Sequence, residues 1–124
     1  MPTKKLKILI AEDEKAMARA LQLKLNNSGF EAEIATNGEE ALARLSQEKF
    51  SLILLDIMMP KKDGFSLMSE MKAKKDKTPV IILSNLSQED DAKKAKDLGA
   101  VDFFIKSNTP LVEIVNRLKK ILKV

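Results

Sequence analysis

Residues 51 to 64 read Ser51-Leu-Ile-Leu-Leu-Asp56-Ile-Met-Met-Pro60-Lys-Lys-Asp63-Gly64, and this segment sets the architecture of the chain. An apolar run ends on the carboxylate of Asp56, and Pro60 and Gly64 then interrupt regular structure. Such a run is typical of a strand that is buried on both faces and followed by a loop. We therefore expect Asp56 at the carboxyl end of a central strand, where open parallel sheets bind ligands. Asp also caps helices often, so this residue alone leaves both interpretations open.

The composition of the 124-residue chain excludes several classes of site. The sequence has no Cys and no His, which excludes disulfides, thiolate metal sites and the usual zinc and His-dependent triad chemistry. Its length fits one domain, so we expect a single domain over residues 1–124 with no output domain. The first apolar run stops at Glu12, too short for a signal sequence or a membrane span, which predicts a cytoplasmic protein without a membrane partner.

The formal charge of +4 raises the question of a nucleic-acid partner. The lysines are spread over many helices rather than gathered into one run, and Tyr and Trp are absent. Solvated helix faces explain such dispersed charge better than a nucleic-acid surface does. We therefore expect no direct contact with nucleic acid.

The apolar pattern predicts five strands that alternate with five helices. The strands cover residues 6–11, 30–35, 51–55, 80–83 and 100–105, and the fourth helix covers residues 88–98. The second strand alternates apolar and acidic residues, which is typical of the edge of a sheet. The pattern as a whole predicts a doubly wound α/β fold, with a five-stranded parallel sheet of order 2-1-3-4-5 and right-handed crossovers.

Polar residues follow or end four of these strands, and the parallel arrangement brings them together at the carboxyl-terminal end of the sheet. They are Glu12 and Asp13 after the first strand, Asp56 after the third, Ser84 after the fourth and Lys106 after the fifth. Neighbouring carboxylates repel one another unless a cation joins them, and oxygen ligands alone select Mg²⁺ or Mn²⁺. A positive charge and a hydroxyl donor opposite the acids suit phosphoryl transfer, with Asp56 as the nucleophile.

Each of these residues also has an ordinary explanation when it is taken singly. A salt bridge to one acid explains Lys106, and a turn explains Ser84, so only the placement of both beside the acids indicates phosphoryl transfer. No Gly-rich phosphate loop follows any strand, which excludes a P-loop enzyme.

Together these residues resemble the receiver domain of bacterial two-component response regulators, the CheY-like superfamily. The resemblance covers the whole chain and rests on Glu12-Asp13, Asp56 with Pro60 and Asp63-Gly64, Ser84, Gly99-Ala100 and Lys106. It implies a flavodoxin-like fold and a phosphorylation-dependent switch rather than a classical enzyme. Asp56 would accept a phosphoryl group from a histidine kinase or phosphotransfer protein. Mg²⁺ would be held by Glu12 or Asp13, by Asp56, and by the backbone carbonyl of Met58.

The same resemblance implies a route for the signal. Ser84 and Lys106 would grip the phosphoryl oxygens. Phe103 stands where the family often has an aromatic residue whose rotamer follows Ser84, although core filling explains Phe103 equally well. The signal would then reach an unidentified output protein through the face formed by the fourth helix, the fifth strand and the fifth helix.

Two residues depart from the pattern of the family. Ser107 follows Lys106 where Pro is usual, often after a cis bond, so Lys106 depends on a trans bond or on a cis bond that costs about 2.5–4 kcal/mol. Asn85 follows Ser84 where a small residue is usual, and it either narrows access to Asp56 or hydrogen-bonds the phosphoryl group.

Two rival functions remain at the level of the sequence. A pseudo-receiver would keep the fold as a protein-binding scaffold without phosphorylation, but gathering three acids, a hydroxyl and an ammonium at one edge is costly without a use for them. A flavodoxin-like cofactor enzyme would need an aromatic stack for the flavin, and the chain has neither Trp nor Tyr.

Overall fold

The computed structural model describes residues 5–85 and 89–124, and in them five strands alternate with five helices. The strands are β1 (Lys7–Ala11), β2 (Glu31–Ala35), β3 (Leu52–Leu55), β4 (Val80–Ser84) and β5 (Asp102–Ile105). The helices are α1 (Lys15–Asn27), α2 (Gly38–Gln47), α3 (Gly64–Ala73), α4 (Glu89–Asp97) and α5 (Leu111–Leu122). All strand pairs are parallel and the order is β2-β1-β3-β4-β5, which confirms the predicted doubly wound sheet.

The central strand β3 is buried on both of its faces. Ile53 and Leu55 pack into one hydrophobic cluster with α2, α3 and α4, whereas Leu52 and Leu54 pack into a second cluster with α1 and α5. Side chains of a strand point alternately to opposite faces, so a strand between two helical layers must be apolar at every position. This explains the uninterrupted apolar run before Asp56.

Strand β2 lies at the edge of the sheet, as its alternating pattern predicts. It pairs with β1 alone among the described strands, and Glu31 at its start is exposed whereas Ala32 and Ala35 are buried. The absence of a second strand partner among the described strands, rather than a fully exposed face, makes β2 an edge strand.

Several element boundaries differ from the sequence-based prediction for local reasons. Strand β4 includes Ser84, because Ser84 still pairs with Ile105 of β5. Strand β5 begins at Asp102 rather than Ala100, because the Ala100 N–H donates to the Ala95 carbonyl at 2.9 Å and so closes α4. Helix α4 is described from Glu89 onward, and the predicted start at residue 88 lies outside the described residues.

No helix within residues 5–85 and 89–124 combines the length and the apolar character that crossing a bilayer demands.

Candidate functional site

The backbone brings Glu12 and Asp56 to the same edge of the sheet. The last paired residues of β1 and β3 are Ala11 and Leu55, and the two acids directly follow them. The Asp56 N–H donates to the Ala11 carbonyl at 2.9 Å, and the Glu12 N–H donates to the Ala35 carbonyl of β2 at 3.0 Å. These bonds continue the ladder beyond the strands, so both carboxylates leave from well-fixed backbone.

Lys106 lies at the same end of the sheet, but it follows β5, which is adjacent to neither β1 nor β3. It directly follows Ile105, the last residue of β5, and its Nζ lies 2.6 Å from Glu12 Oε2 and 2.9 Å from Asp56 Oδ2. Glu12 is 2% exposed and Asp56 is 5% exposed, so this ammonium joins two carboxylates that water hardly reaches. The order of the strands and the length of the lysine side chain together make this contact possible.

The electrostatics of the cluster follow from burial and from the ion pairs. Burial disfavours the charged carboxylate and raises the pKa of Glu12 to about 7, although the hydrogen bond from Lys106 acts in the opposite direction and the charge of Asp56 raises the pKa further. Burial alone would lower the pKa of Lys106, but its hydrogen bonds to Glu12 and Asp56 outweigh burial and raise that pKa above its ordinary value. Lys106 therefore stays an ammonium, while Glu12 titrates near neutral pH.

Three carboxylates at this edge could share one cation. An oxygen from each of Glu12, Asp13 and Asp56 lies within 4.8 Å of the others. Glu12 already accepts from Lys106 and, at 3.1 Å, from the Glu14 N–H. Asp13 is exposed and lines an open cleft of about 640 Å³, together with Met58. Ligands that are all oxygens fit a hard cation such as Mg²⁺, and the cleft is lined by Asp13, the exposed member of the three acids.

The loop after Asp56 is packed closely against α3. A Cβ on Gly64 would lie 2.7 Å from the Asp56 carbonyl oxygen and 2.8 Å from Ile57 Cα. The Gly64 N–H also donates to the Ile57 carbonyl at 2.8 Å, and Asp63 caps α3 by accepting from the Ser66 N–H at 2.8 Å. The Asp63-Gly64 pair therefore starts the helix and lets the backbone of Asp56 approach it.

Ser84 and Phe103 lie on the adjacent strands β4 and β5. Ser84 is the last residue of β4 and is 1% exposed. Phe103 is half-buried, packs against the cluster that contains Ala95, and lines a groove of about 320 Å³ between α4 and β5. The groove provides space beside the phenyl ring.

A contact that sequence analysis missed joins the loops after β4 and β5. Asn85 Oδ1 accepts from the Ser107 N–H at 3.1 Å, a role that differs from both alternatives considered for Asn85. All peptide bonds of the described residues are trans, so a trans bond carries Lys106 into Ser107. The clue in the sequence was that both departures from the family pattern lie immediately after β4 and β5.

The family model of the response regulator receiver domain matches residues 8–119. The chain belongs to the response regulator receiver domain family. This confirms the resemblance inferred from the strand-end residues, and receiver domains as a class are phospho-acceptor signalling proteins rather than classical enzymes. They bind Mg²⁺ at an acidic cluster and interact with histidine kinases and output domains.

Individual relatives agree with this assignment. The alkaline phosphatase synthesis transcriptional regulatory protein PhoP of Bacillus subtilis is 37% identical over 117 residues, which are 94% of this chain and 48% of that protein. The Francisella response regulator 1452 receiver domain is 30% identical, with a TM-score of 0.91 over 96% of this chain and 98% of that chain. The BeF3-activated N-terminal receiver domain of Klebsiella pneumoniae RstA is 27% identical, with a TM-score of 0.85 over 92% of this chain and 96% of that chain. The receiver domain described here spans about half the length of the curated relatives it matches.

The receiver domain brings together four of the predicted site residues in direct contact or close proximity, namely Glu12, Asp13, Asp56 and Lys106. Met58 takes part through its N–H, which donates to Asp56 Oδ1 at 3.2 Å, and the predicted use of its carbonyl as a metal ligand stays a prediction. The chemical roles predicted for Asp56, Ser84 and Phe103 stay predictions as well.

Proposed function

We propose that this receiver domain is a phosphorylation-dependent switch in which Asp56 accepts a phosphoryl group from a histidine kinase or phosphotransfer protein. The observation that carries the proposal is the contact of Asp56 Oδ2 with the Lys106 ammonium at 2.9 Å, beside two further acids. A carboxylate oxygen of Asp56 attacks phosphorus as the bond between phosphorus and the donor nitrogen breaks, and the donor imidazole leaves with that electron pair. Lys106 offsets the negative charge that the phosphoryl oxygens bring.

The proposed metal is Mg²⁺, with Mn²⁺ as a substitute. Asp13 and Asp56 would supply carboxylate oxygens and Met58 its backbone carbonyl. Because Lys106 already binds Glu12, we assign Glu12 chiefly to holding that lysine and giving the site negative charge. When bound, Mg²⁺ neutralises the charge of the transferring phosphoryl group. It rarely has an all-protein cage and keeps several waters, so we expect it to bind the unmodified protein weakly.

The proposed output of the switch is the face formed by α4, β5 and α5. Ser84 would donate to a phosphoryl oxygen, and the movement of its loop would let Phe103 turn toward the space that opens between α4 and β5. The groove beside Phe103 supports this step, since the ring has room to move. Arg117 of α5 contacts Asp102 of β5 at 2.5 Å, so these two elements would present one surface to an output partner. We propose that this face contacts an output protein and that the domain does not contact nucleic acid directly.

The free energy available to the switch is modest. One hydrogen bond from Ser84 to a charged phosphoryl group contributes about 1.5–3 kcal/mol, which shifts a two-state population roughly ten- to hundredfold. Some of the active conformation should therefore exist without phosphate. The rival function is a scaffold in which the Lys106 ion pairs serve stability alone.

Amide hydrogen exchange with and without a beryllium fluoride mimic of the phosphoryl group tests the switch. The wild-type protein should show changed exchange within residues 89–105 when Mg²⁺ and the mimic are bound. The Ser84→Ala variant should still bind the mimic, detected by its ¹⁹F signal, but should show a smaller change in those residues. Bound mimic without any change of exchange in the wild type would contradict the switch and favour the scaffold.

A further inference from the structure

A side chain links the loop after β4 to the turn after β5. Ser84 and Ile105 form the last pair of the β4–β5 ladder. Immediately beyond that pair, Asn85 Oδ1 accepts from the Ser107 N–H at 3.1 Å. The carboxamide of Asn85 therefore extends the connection between the two strands beyond the point where backbone pairing stops.

The turn that carries Lys106 is short. Residues Lys106–Asn108 form one 3₁₀ turn, a conformation whose hydrogen bonds have poorer geometry than those of an α-helix. Thr109 closes the turn on its far side, because its hydroxyl donates to the Ile105 carbonyl at 2.9 Å. The hydrogen bond from the Ser107 N–H to Asn85 Oδ1 ties this turn to the loop that follows β4.

The position of this turn decides what the lysine can reach. The Lys106 ammonium contacts Asp56 at 2.9 Å and Glu12 at 2.6 Å, so its backbone must stay at a suitable distance from both acids. The Ser107 N–H belongs to the peptide group that directly follows Lys106. A hydrogen bond to that group limits rotation of the backbone that carries the lysine side chain.

We propose that Asn85 is a positioning residue for Lys106, and that it acts by accepting the Ser107 N–H. Proline at position 107 has no N–H and could not donate to Asn85, so this hydrogen bond requires a residue other than proline there. The effect of this pair on phosphorylation rests on the proposed function of Asp56. The effect on the position of Lys106 belongs to the unmodified protein and is measurable without any phosphoryl group.

A double-mutant cycle tests the pair, with Asn85→Ala introduced into the wild type, into Ser107→Pro and into Ser107→Ala. Ser107→Ala keeps the N–H and Ser107→Pro removes it, so these two backgrounds differ in the donor under test. Asn116→Ala, at an exposed asparagine of α5, is the control for loss of a carboxamide elsewhere. The two readouts are the NMR order parameter of the Lys106 side-chain ε-methylene in the metal-free protein and the rate of Asp56 phosphorylation by a small phosphodonor with Mg²⁺.

In the wild type and in Ser107→Ala, Asn85→Ala should lower the Lys106 order parameter and slow phosphorylation by about two- to tenfold, the ratio that one neutral hydrogen bond supplies. In Ser107→Pro it should have no further effect on either readout. An equal effect in all three backgrounds, or an unchanged Lys106 order parameter in the Asn85→Ala variant, would overturn the proposal. If the wild type accepts no phosphoryl group, the proposed function of Asp56 fails, and the order parameters alone still decide the role of Asn85.

Discussion

The Lys106 ammonium lies 2.9 Å from Asp56 Oδ2 and thereby ties the end of β5 to the end of β3 across the intervening strand β4. The same ammonium contacts Glu12 at the end of β1. One side chain thus connects the ends of three strands. In the unmodified protein it compensates acids that would otherwise repel one another, which gives Lys106 a structural role in addition to its proposed role in phosphorylation.

Lys106→Met should destabilise the unmodified protein more at pH 8 than at pH 5. Methionine keeps an unbranched side chain of similar length but removes the ammonium that pairs with the two buried carboxylates, and a hydrogen bond to a charged group contributes about 1.5–3 kcal/mol. At pH 5 Glu12 is largely protonated and needs the ammonium less. Urea unfolding of the metal-free protein at pH 5 and at pH 8 measures the loss of stability at each pH. Lys7→Met, which removes a more exposed ion pair with Glu48, is the control and should have a smaller effect. Equal losses in the two variants would contradict a structural role of Lys106.

Titration of Glu12 should make the protein less stable as the pH rises from 5 to 8. Its pKa is about 7 in the folded protein against an ordinary value of 4.5, so the folded state holds the proton over a range in which the unfolded state has lost it. The free energy of unfolding then falls with rising pH and levels off above pH 7, by about 3 kcal/mol at most.

This pH dependence is open to a clean measurement, because the chain has no His or Cys that would titrate in the same range. Urea unfolding of the metal-free protein at several pH values gives the slope. Glu12→Gln should remove most of that slope, because an amide does not titrate. The same slope in the variant and the wild type would show that another group is responsible.

Asp13→Asn should weaken the binding of Mg²⁺ by about tenfold or more, since removal of even an indirect partner of a metal ligand has an effect of that size. A titration followed by amide chemical shifts gives the affinity. Asp63→Asn is a matched control, because Asp63 lines the same cleft and Asn also caps helices well. If both variants bind Mg²⁺ equally well, Asp13 is not a ligand.

Gly64→Ala should destabilise the protein by about 1–3 kcal/mol and slow phosphorylation, because its Cβ would press on the Asp56 carbonyl oxygen at 2.7 Å. The sign of the effect is informative. At an ordinary helix position, replacing Gly by Ala stabilises by roughly 0.5–1 kcal/mol. Urea unfolding distinguishes the two cases, with Ser69→Ala at an exposed position of α3 as the control. A stabilised Gly64→Ala would mean that the helix and the Asp56 loop separate easily.

The fold could be predicted from the sequence because the apolar pattern of a strand depends on which of its faces are buried. The uninterrupted apolar run of β3 required helices on both faces, and the alternating pattern of β2 assigned it to an edge. Together with the strict alternation of strands and helices, those two observations favoured the order 2-1-3-4-5. The boundaries were less accurate, because Ser84 joins β4 through its pairing with Ile105, a partner that local sequence does not reveal.

The sequence predicted the end of the sheet at which the site lies, but not the contacts between its side chains. Parallel strands have their carboxyl ends on one side of the sheet, so Glu12, Asp56 and Lys106 were expected at the same end. That one ammonium contacts both acids depends on side-chain reach across non-adjacent strands. The hydrogen bond between Asn85 and Ser107 joins two loops that are far apart in the sequence, so no local sequence pattern predicts it.

Intact-mass analysis after incubation with a small phosphodonor and Mg²⁺ tests most directly whether Asp56 is the phosphoryl acceptor. The sample is kept cold and measured quickly, because acyl phosphates hydrolyse readily. We predict one added phosphoryl mass in the wild type and in Asp63→Asn, and none in Asp56→Asn, because an amide cannot act as the nucleophile. The same adduct on Asp56→Asn as on the wild type, or no adduct on either protein, would contradict the account.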